Sequence, residues 1–283
     1  MFRVARVIRL CFFALAVLLI APVVNAGTES FDEAYEISPG TRFEILNRDG
    51  SIDITGWDKS RIEIHAIKKT RWGGKLENVV INVSPGMEFR VETVHVVKNP
   101  KVSVSYDVKV PFNLVVKRVR TSNGEIELEG THGDIEVETS NGAIEIEGSE
   151  GDIDASTSNG TIDIEDVKGY VSARTSNGTI RVKRTTGVVE LETSNGSIET
   201  EVRGLKGNGL RLRTSNGAIE LKFDAGLNAD IEAKTSNGKI KLDDVEVLVE
   251  EISKSSLRGK IGKGGKKISC RTSNGTIVLR SLK

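Results

Sequence analysis

Charge is segregated along this chain, and that order sets the chemistry open to it. From Glu125 to Asp166 stand fourteen acidic residues and no Lys or Arg; from Ile252 to Lys283 stand nine Lys or Arg and no acid. Carboxylate pairs about 5 to 10 Å apart are the machinery of glycoside hydrolysis, and Glu127, Glu136, Glu145 and Glu147 offer several such pairs. They follow a repeat instead of converging on one irregular point, so no enzyme and no catalytic residue is expected. Asp152, Asp154, Asp163 and Asp166 could meet Ca²⁺ weakly, but the Gly-Gly-x-Gly-x-Asp pattern of calcium-binding β-rolls is absent. A solvated acidic face is expected, with no metal site and no cofactor.

Lys260, Lys263, Lys266, Lys267 and Arg271 form the basic counterpart, read as a site for an anionic ligand such as an envelope polymer or lipid headgroup. The rival reading is an edge-protecting end, since Lys blunts exposed strands. Acidic early segments and basic late ones also predict head-to-tail self-association. Basic and acidic residues balance at 40 each, which gives no attraction to nucleic acid. Two Cys exclude a disulfide framework, and three scattered His argue against zinc or haem. Cys270, beside Ile268 and Ser269, reads as a small core residue of a strand. Trp57 and Trp72 could stack on sugars; Trp57 is expected over the amino-terminal cap, and two Trp make no broad aromatic platform.

The elements that position these groups come from a repeat. Thr-Ser-Asn-Gly begins at Thr121, Thr139, Thr157, Thr175, Thr193, Thr214, Thr235 and Thr272. The first four steps are 18 residues, the next two 21 and the last 37. That last gap holds a degraded copy, Ser255 to Ile261, and is read as two steps. Glycines also recur every nine residues from Gly124 to Gly196. Two positions after each sits Ile or Val, usually followed two residues later by another apolar residue, with charges between. Period-two alternation is the mark of a half-buried strand. Asn-Gly is read as supplying positive φ. An antiparallel meander would also use Asn-Gly, but it gives no reason for Ser-Asn-Gly corners to alternate with variable ones. A coil returning to one corner every 18 residues does. The fold is therefore read as all-β, a right-handed parallel β-helix with coils of about 18 residues. Asn123, Asn141, Asn159, Asn177, Asn195, Asn216, Asn237 and Asn274 are expected to stack as a structural turn ladder.

Residues 1–26 carry Arg3, Arg6 and Arg9, then an apolar run from Leu10 to Val24, then Val24-Asn25-Ala26. This reads as a signal peptide, cut between Ala26 and Gly27, with an uncleaved membrane anchor as the rival reading, and it predicts export to the periplasm, the cell surface or the medium. After cleavage no transmembrane segment is expected. Residues 27–120 read as a β-rich cap with the first coils, and 121–283 as the solenoid.

Gly50-Ser51-Ile52-Asp53-Ile54-Thr55-Gly56-Trp57-Asp58, then Tyr106-Asp107-Val108-Lys109-Val110-Pro111, then repeated Thr-Ser-Asn-Gly-x-Ile resemble the bacterial and archaeal "putative adhesin" family (domain of unknown function 4097). The resemblance covers about residues 40 to 280. It implies a β-helical, extracytoplasmic protein and adhesion, some relatives being associated with envelope stress; it implies no catalytic residue. The function expected is a non-enzymatic envelope or surface scaffold with multivalent charged faces, its partner a cell-envelope polymer or surface component such as a carbohydrate. The alternatives are a periplasmic envelope-stress or anionic-polymer-binding module and a polysaccharide-active β-helix enzyme.

Overall fold

Strict alternation of Ile and Val with charged residues leaves each short strand one apolar face, and two such faces must close on each other. The computed structural model describes residues 24–25 and 27–282. The signal-peptide reading lies outside the described residues, apart from a two-residue strand, Val24–Asn25. The described strands form two thirteen-stranded sheets. Each coil gives one strand to each sheet: Ile135–Glu138 lies in one, and Ile144–Glu147, after the Thr-Ser-Asn-Gly corner, in the other. Successive coils pair in parallel and in register, Ile126 opposite Ile144 and Ile144 opposite Ile162. Inward residues such as Ile126, Ile135, Val137, Ile144 and Ile162 are buried between the sheets. Cys270 is buried there too, its thiol pushed up to about 12 by burial, as expected of a core residue rather than a nucleophile.

The Thr-Ser-Asn-Gly corner holds the coils together through three devices. Each Asn donates from Nδ2 to Oδ1 of the Asn below, as in Asn141 to Asn123 at 2.8 Å, and Asn123 donates to Asp49 at 2.7 Å. Each buried Thr hydroxyl donates to a Gly carbonyl of the adjacent coil, Thr139 to Gly124 at 3.0 Å. Each Gly then lets the backbones close: a Cβ on Gly142 would lie 1.9 Å from the Gly124 oxygen. This corrects the reason given for these glycines. Left-handed φ occurs at Gly50, Gly133 and Gly151, but at none of the Thr-Ser-Asn-Gly glycines. What those positions need is the absence of a side chain where two chains touch.

The order of the stack departs from the order of the sequence at both ends. The coil Lys266–Ser281 does not follow the last repeat but lies between the coils of Gly209–Phe223 and Ala229–Asp243. The Asn ladder runs through it unbroken, Asn274 donating to Asn216 at 2.8 Å and Asn237 to Asn274 at 2.9 Å. At the other end, the coil of Arg42–Trp57 lies between two later segments, Glu88–Pro111 and Val115–Glu129. The degraded copy is consequently no coil. Ser256–Ile261 pairs antiparallel with Ala229–Asn237, and Leu248–Ile252 pairs antiparallel with it in turn, so these strands cap the stack. At the amino-terminal end the caps are Thr28–Glu36 with Arg61–Thr70 on one sheet and Val79–Ser84 on the other.

Candidate functional site

The predicted basic group divides. Lys267 and Arg271 share the strand Lys266–Asn274, two rungs of alternation apart and thus on one outer face. Lys266 reaches the Leu205 carbonyl at 3.0 Å. Lys260 sits on the capping strand and pairs with Glu250 at 3.2 Å. Lys263 lies in the following turn, where its backbone N–H donates to Asn228 Oδ1 at 2.7 Å. The five therefore do not make one site.

Insertion of the terminal coil builds a different one. In register across three neighbouring strands stand Arg213, Arg271 and Lys234, three cations on consecutive rungs about 4.8 Å apart. Arg213 and Arg271, with Arg211, Lys267 and the Lys206–Gly209 loop, border an open groove of about 690 Å³ lined also by Ser269, and Lys234 stands on the next rung beyond it. Among its lining residues five cations face one carboxylate, Glu190. Lys206 is fixed at the rim by a hydrogen bond to Asp152 and lies 4.9 Å from the centre of the Tyr170 ring. Arg211, Arg213 and Lys206 were missed in the sequence. Alternation does place Arg211 and Arg213 outward, but their nearness to Arg271 depends on the inserted coil.

One acid organises the far side of the groove. Glu232 is buried (8% exposed) and meets Lys267 at 2.5 Å, Lys234 at 2.9 Å and Arg271 at 3.3 Å. Hydrogen bonds from Lys267 and Lys234 hold its carboxyl down to about 2. It steadies the three heads and leaves a surplus of positive charge. Arg211 and Arg213 keep looser pairs at 3.7 Å with Glu190 and Glu192 and are mostly exposed.

The opposite sheet carries the acidic face. Asp107, Asp53, Glu127, Glu145 and Asp163 stack in register on five consecutive rungs before Arg181 ends the column. Glu129, Glu147 and Glu165 form the next column. Asp53, Asp107, Glu127, Glu129, Glu145 and Glu147 have no ion-pair partner among the described residues. Burial first, then Glu127, Asp107 and Glu125, push the Asp53 carboxyl up to about 6; Glu145 is raised for the same kinds of reason. The four carboxylates considered for calcium are not brought together. Asp152 bonds Lys206, Asp154 lies 3.6 Å from Arg174, Asp163 is 3.1 Å from Arg181 and Asp166 is 2.8 Å from Arg184. No cluster of three or more His, Cys, Asp or Glu suited to a metal occurs among the described residues.

The stacked coils coincide with a known family. Residues 118–280 match the family model Toastrack DUF4097, a domain of unknown function. The chain belongs to the Toastrack family. Similar solved structures include a "putative adhesin" of Bacteroides fragilis (11% identity, 89% of this chain and 97% of that one, TM-score 0.45). Others are a "putative adhesin" of Parabacteroides merdae (10%, 90% and 96%, TM-score 0.42) and a "putative cell adhesion protein" of Clostridium sporogenes (10%, 89% and 100%, TM-score 0.27). No curated protein matches the chain. In this Toastrack chain no described helix is long and apolar enough to cross a membrane.

Proposed function

We propose that this Toastrack protein is an exported, non-enzymatic scaffold of the cell envelope or surface that holds anionic polymer along its basic groove. The observation that carries the reading is the run Arg213, Arg271 and Lys234 on consecutive rungs beside Arg211 and Lys267. The hydrogen-bonded stack fixes these cations about 4.8 Å apart in one row. Each contact is weak in water, and several in series give avidity. Export is supported by the Arg-rich, then apolar, amino-terminal segment. The adhesin-like label draws support from family resemblance only. It narrows to surface adhesion if protease shaving of intact cells removes the protein while a periplasmic marker survives.

Fluorescence anisotropy with labelled polygalacturonate tests the groove. Binding should weaken steeply with added salt, fall at least about tenfold in the Arg213→Ala/Arg271→Ala double variant, and proceed without cleavage. Both residues are more than half exposed, so the variant should fold. Salt-insensitive binding, or an unchanged double variant, would refute the groove; release of reducing ends or unsaturated products would favour the enzyme alternative.

A further inference from the structure

At the other end of the stack stands an exposed aromatic that packing does not explain. Trp72 is 93% exposed, the most exposed of the large apolar side chains described. Its backbone has φ +44°, a left-handed conformation that bulky residues avoid. Lys101, across the same loop pair, is also left-handed at +52°. Two non-glycine residues held this way in one place point to a geometry kept for use. The loop is anchored: Arg71 N–H donates to the Lys101 carbonyl at 2.7 Å and Gly74 N–H to the Arg71 carbonyl at 3.0 Å. A Cβ on Gly74 would lie 2.3 Å from the Lys101 oxygen, so the two loops are pressed together two residues from Trp72. Trp57 contrasts with it. Its Nε1–H donates to the Arg61 carbonyl at 2.9 Å and its ring lies among Lys59, Arg61 and Lys109, so it is already engaged.

Beside Trp72 is a cavity of about 470 Å³ lined also by Arg71, Lys101, Asp49, Asn99 and Ser103. Arg71 and Lys101 have no ion-pair partner among the described residues. Asp49 accepts from the last amide of the Asn ladder with one oxygen, so the ladder holds it in place while its second oxygen stays available. A flat apolar ring, a few fixed hydrogen-bonding groups and a net positive lining together form a small polar-ligand site. We propose that this cavity binds a carboxylate-bearing sugar unit of an oligosaccharide. The indole stacks on the C–H face of the pyranose, Arg71 and Lys101 take the carboxylate, and Asp49, Asn99 and Ser103 take hydroxyls. The site is separate from the basic groove and stands or falls without it.

The test is two-dimensional ¹⁵N NMR of the two indole N–H groups in the mature chain, the Trp72 peak being assigned by its loss in Trp72→Phe. The probes are digalacturonate and 3′-sialyllactose, with cellobiose and lactose as neutral comparators. At least one acidic glycan should shift the Trp72 peak saturably, with Kd on the order of 0.1–5 mM, and leave the Trp57 peak in place. Arg71→Gln and Lys101→Gln should each weaken binding at least about threefold, and the neutral sugars should bind about tenfold more weakly. The groove variant Arg213→Ala/Arg271→Ala should titrate like the wild type. The proposal is overturned if neither acidic glycan moves the Trp72 peak at about 20 mM, if neutral sugars bind as well, or if the two Gln variants bind normally.

Discussion

Replacing Gly142 by Ala separates two reasons for a glycine. The position does not have left-handed φ. At an open corner of that kind, Ala would add about 0.4–1 kcal/mol of stability by restricting the unfolded chain. In this stack the added Cβ falls 1.9 Å from the Gly124 oxygen and 2.4 Å from its carbonyl carbon, where a C···O contact needs about 3.3 Å. The two coils must then part by more than about 1 Å at that corner. Three bonds stretch: Gly124 N–H to Asn141 O at 2.9 Å, Thr139 Oγ1 to Gly124 O at 3.0 Å, and Asn141 Nδ2 to Asn123 Oδ1 at 2.8 Å. At about 0.5–1.5 kcal/mol each, with about 1–3 kcal/mol of overpacking strain, the expected loss is about 3–7 kcal/mol. Guanidinium unfolding followed by far-ultraviolet circular dichroism reads it, and Tm should fall by at least about 6 °C. Gly226→Ala is the control, since its nearest neighbour is a side-chain oxygen at 3.2 Å; it should change stability by less than about 1 kcal/mol. A Gly142→Ala chain as stable as the wild type, or more so, would refute the close-approach argument.

Two acids should respond to pH with opposite signs. Asp53, raised to about 6, binds its proton more tightly in the fold than in the unfolded chain, so stability falls as pH rises from about 4 to 6. Asp53→Asn should therefore stabilise at neutral pH, with the gain vanishing below about pH 4. Glu232, held at about 2, contributes stability that is present above about pH 4.5 and lost as pH falls towards 2. Glu232→Gln should destabilise at neutral pH, and urea midpoints across pH check both. Deamidation should pick one Asn-Gly pair out of the eight at the Thr-Ser-Asn-Gly corners; the ninth pair, Asn208-Gly209, lies in a loop where the Gly209 N–H donates to the Lys206 carbonyl at 3.0 Å. The amides of Gly124, Gly142, Gly160, Gly178, Gly196, Gly217 and Gly275 each donate to an Asn carbonyl of the neighbouring coil, whereas Gly238 N–H has no acceptor among the described residues. That nitrogen must attack the Asn side-chain carbonyl, so peptide mapping after mildly alkaline incubation should find Asn237 converted first among the corner Asn residues; an interior corner Asn reacting before it would contradict this.

Much of the fold is legible because a repeat states the same local problem many times. Ile126, Ile144 and Ile162 must point one way, and the corner Asn residues must meet if the coils return to one place. Periodicity makes coils equivalent, however, and equivalence says nothing about which lies next to which. Lys266–Ser281 matches either the top of the stack or a gap within it, and only the capping by Leu248–Ile252 and Ser256–Ile261 resolves the choice. The candidate site inherits that ambiguity. Lys267 and Arg271 were found by composition, while Arg211, Arg213 and Lys234 join them through an order that local pattern does not encode. The corner glycines show a second limit. Asn-Gly has a well-known use at positive φ, and the close approach of another coil leaves the same residue type in the sequence.

The basic face exists only if the carboxy-terminal coil lies between its two earlier neighbours, and disulfide trapping tests that most directly. Register partners on adjacent parallel strands have Cα atoms about 4.8 Å apart, within disulfide range, whereas strands two rungs apart are too distant at roughly 9.6 Å. In a chain of residues 27–283, whose native Cys270 is buried, Arg213→Cys with Arg271→Cys, and Arg271→Cys with Lys234→Cys, should each cross-link on mild oxidation. Arg213→Cys with Lys234→Cys should not. Cross-linking of that last pair within one chain, with the other two left reduced, would show the coils stacked in sequence order and dissolve the groove.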